Sequence, residues 1–323
     1  MPVRAWISLI LGLVLFAGTV LWSTRRIDLP WPFTILRAVP DDDRLAFDGL
    51  IHASPGQDRA REFRDLLLES IWRDRLITIT VHVALCDNSR CKVDDPNLGM
   101  GRKPAKNLYW GARYGVWRFF HDQPEWEQVH ADNLKSDPYV LRRAVFLRDV
   151  LPTSAWQQRG VTERFEVCLM AVAWEGPAAG EAIRATLMDA LDLRPPKKVR
   201  IGSRSVLFGS GSDLVGYVGY NAAKDDSSIL PDPAEVLPKR KPRGVFFITP
   251  SSMESIGGPV QRLGLHPILL TTDTLTPEGY VLHGLTEALA AGQIETGFAA
   301  KAAQAYAQYK RINPEDAARL FVP

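Results

Sequence analysis

The sequence predicts an α/β domain with a mainly parallel sheet flanked by helices, preceded by one N-terminal transmembrane helix. Short apolar runs rich in β-branched residues alternate with segments that carry apolar residues at helical spacing. This alternation is typical of βαβ units and therefore of a parallel sheet. An uncharged apolar stretch near the N-terminus predicts the transmembrane helix. With 323 residues, 46% of them hydrophobic, the chain can bury a sizeable core.

The charge balance gives no reason to expect a nucleic-acid partner. There are 39 basic and 37 acidic residues, which leaves a formal net charge of +2, and no basic stripe is interleaved with aromatic residues. The densest basic run contains Lys239, Arg240, Lys241 and Arg243, and it is interrupted by Pro242. We therefore expect it to form a solvated loop, without a binding role.

Residues 5–22 (AWISLILGLVLFAGTVLW) carry no charge and are long enough to cross a bilayer as a helix. Arg4 precedes them, Arg25 and Arg26 follow, and a tryptophan lies near each end as an interfacial anchor. A cleaved signal peptide is the competing interpretation, but no small-x-small site closes the apolar run. The two arginines after the apolar run favour an orientation in which the C-terminal flank stays in the cytoplasm. In contrast, the short N-terminal segment with Arg4 resembles a signal anchor that exports the rest of the chain. An uncleaved anchor with an exported domain is the interpretation we favour.

Composition divides the chain into three parts. Residues 1–26 hold the predicted anchor. Residues 27–58 are rich in proline, contain three consecutive aspartates at 41–43, and read as a tether. Residues 59–323 read as a single α/β domain, without repeats or low-complexity tracts.

The domain begins with a predicted amphipathic helix at 59–73 and a strand at 76–85 (LITITVHVAL), which is rich in β-branched residues. Further strands are predicted at 142–150, at 164–174, within 213–221, within 244–249 and at 267–272. Helices are predicted at 107–120 with Asn107 as N-cap, at 178–191, 253–263, 277–291, 294–309 and 314–321.

Polar residues follow the predicted parallel strands at their carboxyl ends, where ligands collect in open α/β sheets. These candidate binding residues, joined by two at the start of a helix, are Asp87, Asn88, Asn107, Trp110, Tyr220, Asn221, Thr249, Ser251 and Thr272. Polar groups converging beside small ones predict a pocket. The alternative is that Asp87, Asn88 and Asn221 are turn and cap residues that satisfy backbone groups.

Familiar catalytic and cofactor motifs are absent from the sequence: there is no Walker-type loop, no G-x-S-x-G elbow and no H-E-x-x-H. FGSGSDL at 208–214 precedes a strand, so it predicts a tight turn and not a phosphate loop. Cys86 and Cys91 can form a small disulfide or remain free thiols; without further ligands they make a weak zinc site. We expect no metal or cofactor.

Several motifs carry a resemblance to known proteins. VALCDN (83–88), NLYWGARYGVWRFF (107–120) and DLVGYVGYN (213–221), together with the stretches at 267–289 and 302–322, resemble an uncharacterised family of bacterial proteins. The order of elements also resembles the caspase–hemoglobinase fold, in which one strand ends in His-Gly and the next in Ala-Cys, giving a His/Cys dyad. In this chain Tyr220 stands at the histidine position and Thr249 at the cysteine position.

The resemblance implies a caspase-like topology with a degenerate site, because a thiolate nucleophile needs a lowered pKa and a nearby base. It therefore implies a non-catalytic binding or regulatory module. Together with the predicted anchor at 5–22 and the export that we favour, this places the expected domain on the periplasmic side of a bacterial inner membrane, open to a protein partner. The rival hypothesis is a hydrolase that uses Asp87 with Ser251 or Thr272. A third hypothesis is a structural, partner-binding subunit, and an exposed apolar patch near Trp110 and Trp117 would favour it.

Overall fold

The computed structural model describes residues 55–132, 137–232 and 241–323. They belong to one compact unit that runs from Ser54 to Pro323. The predicted anchor at 5–22 and the tether up to residue 54 lie outside the described residues. No helix in the described ranges is both long and apolar enough to cross a membrane.

The described chain forms ten strands, here numbered in chain order: β1 (Leu76–Ala84), β2 (Glu127–Asp132), β3 (Val140–Val150), β4 (Phe165–Trp174), β5 (Lys197–Ile201), β6 (Arg204–Phe208), β7 (Leu214–Val218), β8 (Gly244–Ile248), β9 (His266–Thr271) and β10 (Phe321–Val322). The α-helices of these ranges are α1 (Pro55–Asp74), α2 (Val116–His121), α3 (Ser154–Gln157), α4 (Ala179–Ala190), α5 (Ala222–Asp225), α6 (Gly258–Arg262), α7 (Gly279–Ala290), α8 (Gly297–Lys310) and α9 (Pro314–Ala318). A short π-helical turn, Met253–Gly257, leads into α6.

Eight strands form one mixed sheet in the order β10-β9-β8-β7-β1-β4-β3-β2. The five central strands, from β9 to β4, are parallel, whereas β10, β3 and β2 pair antiparallel with their neighbours. Strands β5 and β6 form a separate hairpin. The predicted α/β domain with a mainly parallel sheet is therefore confirmed, since helices cover a sheet whose parallel strands are buried.

The two faces of β1 differ in chemistry. Its odd-numbered apolar residues, Ile77, Ile79, Val81 and Val83, pack in a core with residues of α1, α7 and α8. Its even-numbered residues from 78 to 82 are buried and polar, and each has a partner: Thr78 bonds to Asp213, Thr80 to Ser212 and His82 to Asp189. Burying a polar group costs free energy when it has no hydrogen-bond partner, and these three side chains avoid that cost because each one is paired.

The helices predicted at 59–73 and 107–120 have other bounds in the structure for identifiable reasons. Helix α1 begins at Pro55, before the predicted start at 59, because proline at the first turn needs no N–H partner and Asp58 lies in that turn. The helix predicted at 107–120 is confined to α2. Residues 107–115 form turns instead, because Gly111 and Gly115 let the backbone approach neighbouring main chain so closely that a Cβ would lie within 2.5 Å of it.

The expectation of a solvated basic loop is wrong for Arg243. Only 2% of this residue is exposed. Its guanidinium donates to the carbonyls of Ser212 and Ala190 and to the Asp192 carboxylate. Buried arginine is tolerated where its donors meet carbonyls and a carboxylate, a condition that the sequence alone does not reveal.

Candidate functional site at the carboxyl ends of the parallel strands

The sheet has a topological switch point between β1 and β7. From β1 the chain reaches β4 on one side of the sheet, and it later returns to β7 on the other side. In open α/β sheets the crevice beyond the carboxyl ends of two such strands is the usual ligand site. The residues that follow β1 and β7 are therefore the first place to look for function. We call the edge formed by the loops at the carboxyl ends of the parallel strands the rim.

Asp87 and Asn88 shape the loop that follows β1. The Asp87 carboxylate accepts hydrogen bonds from the backbone N–H of Ser89 at 3.0 Å and from its hydroxyl at 2.5 Å. The exposed Asn88 donates from its side-chain amide to the Pro96 carbonyl at 2.8 Å. Both side chains thus make the turn contacts that aspartate and asparagine commonly make.

Asn107 ties two loops together beneath the rim. Its Oδ1 accepts from the N–H of Cys86 at 2.9 Å and from that of Tyr109 at 3.1 Å, while its Nδ2 donates to the Cys86 carbonyl at 2.8 Å. The residue is fully buried. It is therefore a structural clamp on the loop after β1, and its predicted role as a helix N-cap is wrong because α2 begins at Val116, with Gly115 as its N-cap.

Cys86 and Cys91, for which the sequence allowed either a disulfide or free thiols, are free, buried thiols in the structure. The Cys86 thiol hydrogen-bonds to Cys91, and this bond lowers the pKa of Cys91 below that of an ordinary thiol and raises that of Cys86. The Cys91 sulfur also lies 3.5 Å from the Tyr109 hydroxyl, which stabilises the thiolate further, whereas burial opposes it. Cys91 is thus the most readily ionised thiol of the rim.

Four further side chains complete this side of the rim: Tyr217, Tyr220, Asp225 and Arg90. The buried Tyr217 donates its hydroxyl to the Tyr220 carbonyl at 2.6 Å. Tyr220 donates its hydroxyl to Asp225 at 2.9 Å, and the Arg90 guanidinium carbon lies 5.3 Å from the centre of the Tyr220 ring. Burial and the bond to Asp225 raise the pKa of Tyr220, so its hydroxyl stays protonated and is a poor base at neutral pH.

Asn221, Thr249 and Ser251 lie where β7 and β8 end side by side. Asn221 donates to the Pro250 carbonyl at 2.6 Å and to the Ser255 hydroxyl at 2.8 Å. Its Oδ1 and the Thr249 hydroxyl are buried and have no hydrogen-bond partner within the described ranges. Ser251 has a left-handed backbone, with φ 52°, and its N–H donates to the Asp273 carbonyl at 3.0 Å.

Thr272 and Trp110 do not join this group through any hydrogen bond among the described residues. The Thr272 hydroxyl donates to the Arg319 carbonyl at 2.5 Å, which links the end of β9 to the chain before β10. Trp110 is buried, and its indole N–H has no partner in the described part of the chain. With Trp117 it lines a separate cavity of about 220 Å³ beside β2 and β3.

The candidate residues chosen from the sequence do not include the ionisable thiol and phenol groups that the structure brings together in a buried cluster at the rim. Cys91, Tyr109 and Tyr217 form one buried cluster with Cys86, and Arg90 lies against Tyr220. Two of these residues, Cys86 and Cys91, could have been noticed in the sequence because they lie five residues apart directly after a strand. Their contact with Tyr109 could not, because it depends on the turns at 107–115.

One group within the described ranges has side chains at metal-ligand spacing. Glu125, His283 and Glu287 offer ligand atoms that lie within 4.8 Å of one another. His283 Nε2 is already 2.7 Å from Glu125, and the Arg148 guanidinium is ion-paired with Glu287. Because arginine supplies the positive charge there, the group is better described as an ion-pair network than as a metal site.

Comparisons with protein-family models, with curated proteins and with solved structures find no match for this chain.

Proposed function

We propose that this chain is a membrane-anchored, non-catalytic binding or regulatory module whose α/β domain has a caspase-like topology and a degenerate site. The anchor would be residues 5–22, and the domain would lie on the periplasmic side of a bacterial inner membrane, where it would meet a protein partner.

The arrangement of β7 and β8 supports the degenerate site. The two strands are adjacent and parallel, with Val218 opposite Ile248. Tyr220 and Thr249 follow them, which is where the resemblance expects a histidine and a cysteine on neighbouring strand ends. Neither residue can replace that dyad: the Tyr220 hydroxyl is bonded to Asp225, and the Thr249 hydroxyl is buried with no base bonded to it among the described residues.

The observation that carries the proposal is the absence of a nucleophile–base pair among the rim hydroxyls that the structure describes. The hydroxyl of Thr272 donates to a backbone carbonyl, as does that of Ser252. The Asp87 carboxylate accepts from Ser89 and from no other side chain in the described ranges. The rival hydrolase, which needs Asp87 beside Ser251 or Thr272, gains no support from these contacts.

The rim has features that suit recognition of a protein. Tyr220 is half-buried beneath the exposed Arg90, and arginine and tyrosine are enriched in binding hot spots. The unpaired Oδ1 of Asn221 and the Thr249 hydroxyl are polar groups that a small rearrangement of the Pro250–Ser251 turn would offer to a partner.

Site-specific photo-crosslinking in cells tests the binding proposal. A benzophenone amino acid placed at Tyr220 should give a discrete adduct with one protein. The matched control is Leu151, a large apolar residue that is 68% exposed and follows the end of β3 that pairs with the amino-terminal end of β4, away from the rim. The same adduct from both positions, or none from Tyr220, would contradict a binding role for the rim.

Protease accessibility tests the proposed membrane placement. The domain should resist a protease added to intact cells and should be cleaved once the outer membrane is opened in spheroplasts. Protection in spheroplasts with cleavage only after lysis would place the domain in the cytoplasm and contradict the proposal.

A further inference from the structure

A second cavity, of about 150 Å³, lies on the other side of the fold from the thiol cluster. It is bounded by the carboxyl-terminal halves of β1 and β4, the start of β3, the end of α4 and the start of the β5–β6 hairpin. None of its lining residues belongs to the rim, and Arg143 also lines the cavity beside Trp110 and Trp117. Three of them are cations, Arg143, Arg194 and Lys197, against two carboxylates, Asp137 and Asp189.

Arg143 is the most unusual of these residues. It is 94% buried, since only 6% of its surface is exposed, and its Nε has no hydrogen-bond partner among the described residues. Its Nη1 lies 3.3 Å from Asp132, whose side chain is 30% exposed. Burial lowers the pKa of Arg143, so this one carboxylate does not compensate the desolvation of the guanidinium.

Arg194, which also lines the cavity, has a similarly unpartnered guanidinium nitrogen. Its Nη1 is buried and makes no hydrogen bond within the described ranges, although it lies 3.5 Å from Asp189 Oδ2. That oxygen already interacts with His82 Nε2 at 3.0 Å. His82 Nδ1 accepts from the Trp174 indole at 3.0 Å, so Nε2 carries the proton that is donated to Asp189.

The remaining wall is apolar. Met170, Val172 and Trp174 of β4 and Val140 of β3 line it. Guanidinium nitrogens that lack hydrogen-bond partners, next to an apolar wall, match a small molecule that has an anionic group and a short apolar tail. Arginine favours carboxylate and phosphate, because its planar fork matches their paired oxygens.

We propose that this cavity binds a small organic anion, with its carboxylate or phosphate group between Arg143 and Arg194, near Lys197, and its tail against Met170 and Trp174. This site does not depend on the function proposed for the rim. A bound anion would give the unpaired donors of both arginines the partners that they lack.

Calorimetric titration of the full-length protein tests the proposal. The probes are butyrate and butyl phosphate, with 1-butanol as the neutral analogue and butylammonium as the cationic one. Saturable binding of at least one anion, without binding of the alcohol or the cation, is the expected result, and the two anions separate a carboxylate ligand from a phosphate ligand. No saturable anion binding, or equal binding of the alcohol, would overturn the proposal and leave a cavity that holds water only.

Matched variants locate the binding. Arg194→Gln should weaken it roughly tenfold or more, because a charge-assisted hydrogen bond is lost. Lys197→Gln should weaken it by a smaller factor, and Lys198→Gln should leave it unchanged, since Lys198 is the exposed neighbour on β5 that does not line the cavity. Equal affinity in all three variants would refute the site. If Arg194→Gln fails to fold, the pair of lysine variants decides, because both side chains are exposed.

Discussion

Replacing Asn107 by alanine should strongly destabilise the domain. The change removes four hydrogen bonds of 2.8 to 3.3 Å and leaves the N–H and carbonyl of Cys86, the N–H of Tyr109 and the carbonyl of Met100 without this partner. Cys86 and Tyr109 supply three of these groups, and each buried polar group left unpaired costs about 1–3 kcal/mol, so the free energy of unfolding should fall by roughly 3–9 kcal/mol. Since domains are stable by only about 5–15 kcal/mol, this is a large fraction.

Asn88→Ala is the control for that variant. Asn88 is exposed and makes one side-chain hydrogen bond, to the Pro96 carbonyl. Its loss should cost about 1 kcal/mol or less. Urea unfolding of the full-length protein in detergent micelles, followed by tryptophan fluorescence, compares the two midpoints at constant slope.

An Asn107→Ala loss below about 1 kcal/mol would refute the reasoning, since the cost predicted for unpaired buried groups would then be missing. If the variant stayed stable and also lost its crosslinked partner, Asn107 would be a ligand contact of the rim and not a structural clamp.

Three other predictions follow from the same contacts. Burial lowers the pKa of His266 from 6.5 to about 4. The stability that depends on its neutral form is therefore complete above pH 6.5 and is lost as the pH falls towards 4. Thermal unfolding over this range should show a smaller pH dependence in His266→Phe. Iodoacetamide should alkylate Cys91 with a pH midpoint below that of an ordinary thiol, and Tyr109→Phe should move that midpoint upward because it removes a hydrogen bond to the thiolate. An unchanged midpoint would contradict the assigned contact. Gly216→Ala would place a Cβ about 2.1 Å from the Phe246 ring, and should lower the free energy of unfolding by roughly 1–3 kcal/mol in urea denaturation; a variant as stable as the parent would show that the ring can move away.

Local pattern predicts most of the central sheet. Strand β1 matches its predicted run almost residue for residue, because nine consecutive buried residues rich in β-branched side chains have one stable arrangement at this length. The antiparallel strands were harder to foresee. Strand β2 has no fully buried residue, and β10 has only two residues, so both exist because a neighbouring strand pairs with them.

The candidate site depended more on tertiary contacts. The sequence placed Tyr220 and Thr249 at the ends of consecutive buried strands, and the structure has those strands side by side. It could not place Tyr109 next to Cys91, because that contact follows from turns at 107–115 that replace the start of a predicted helix. Nor could it foresee the buried Arg143 and Arg243, since the burial of a charge depends on partners far along the chain.

The central claim, that the rim hydroxyls are not catalytic, is tested most directly by labelling the native full-length protein with a fluorophosphonate and mapping the adducts by mass spectrometry. The account predicts no labelling of Thr249, Ser251 or Thr272 above the level in the unfolded protein. A stoichiometric adduct on one of them that disappears in Asp87→Asn would contradict it and establish the rival hydrolase.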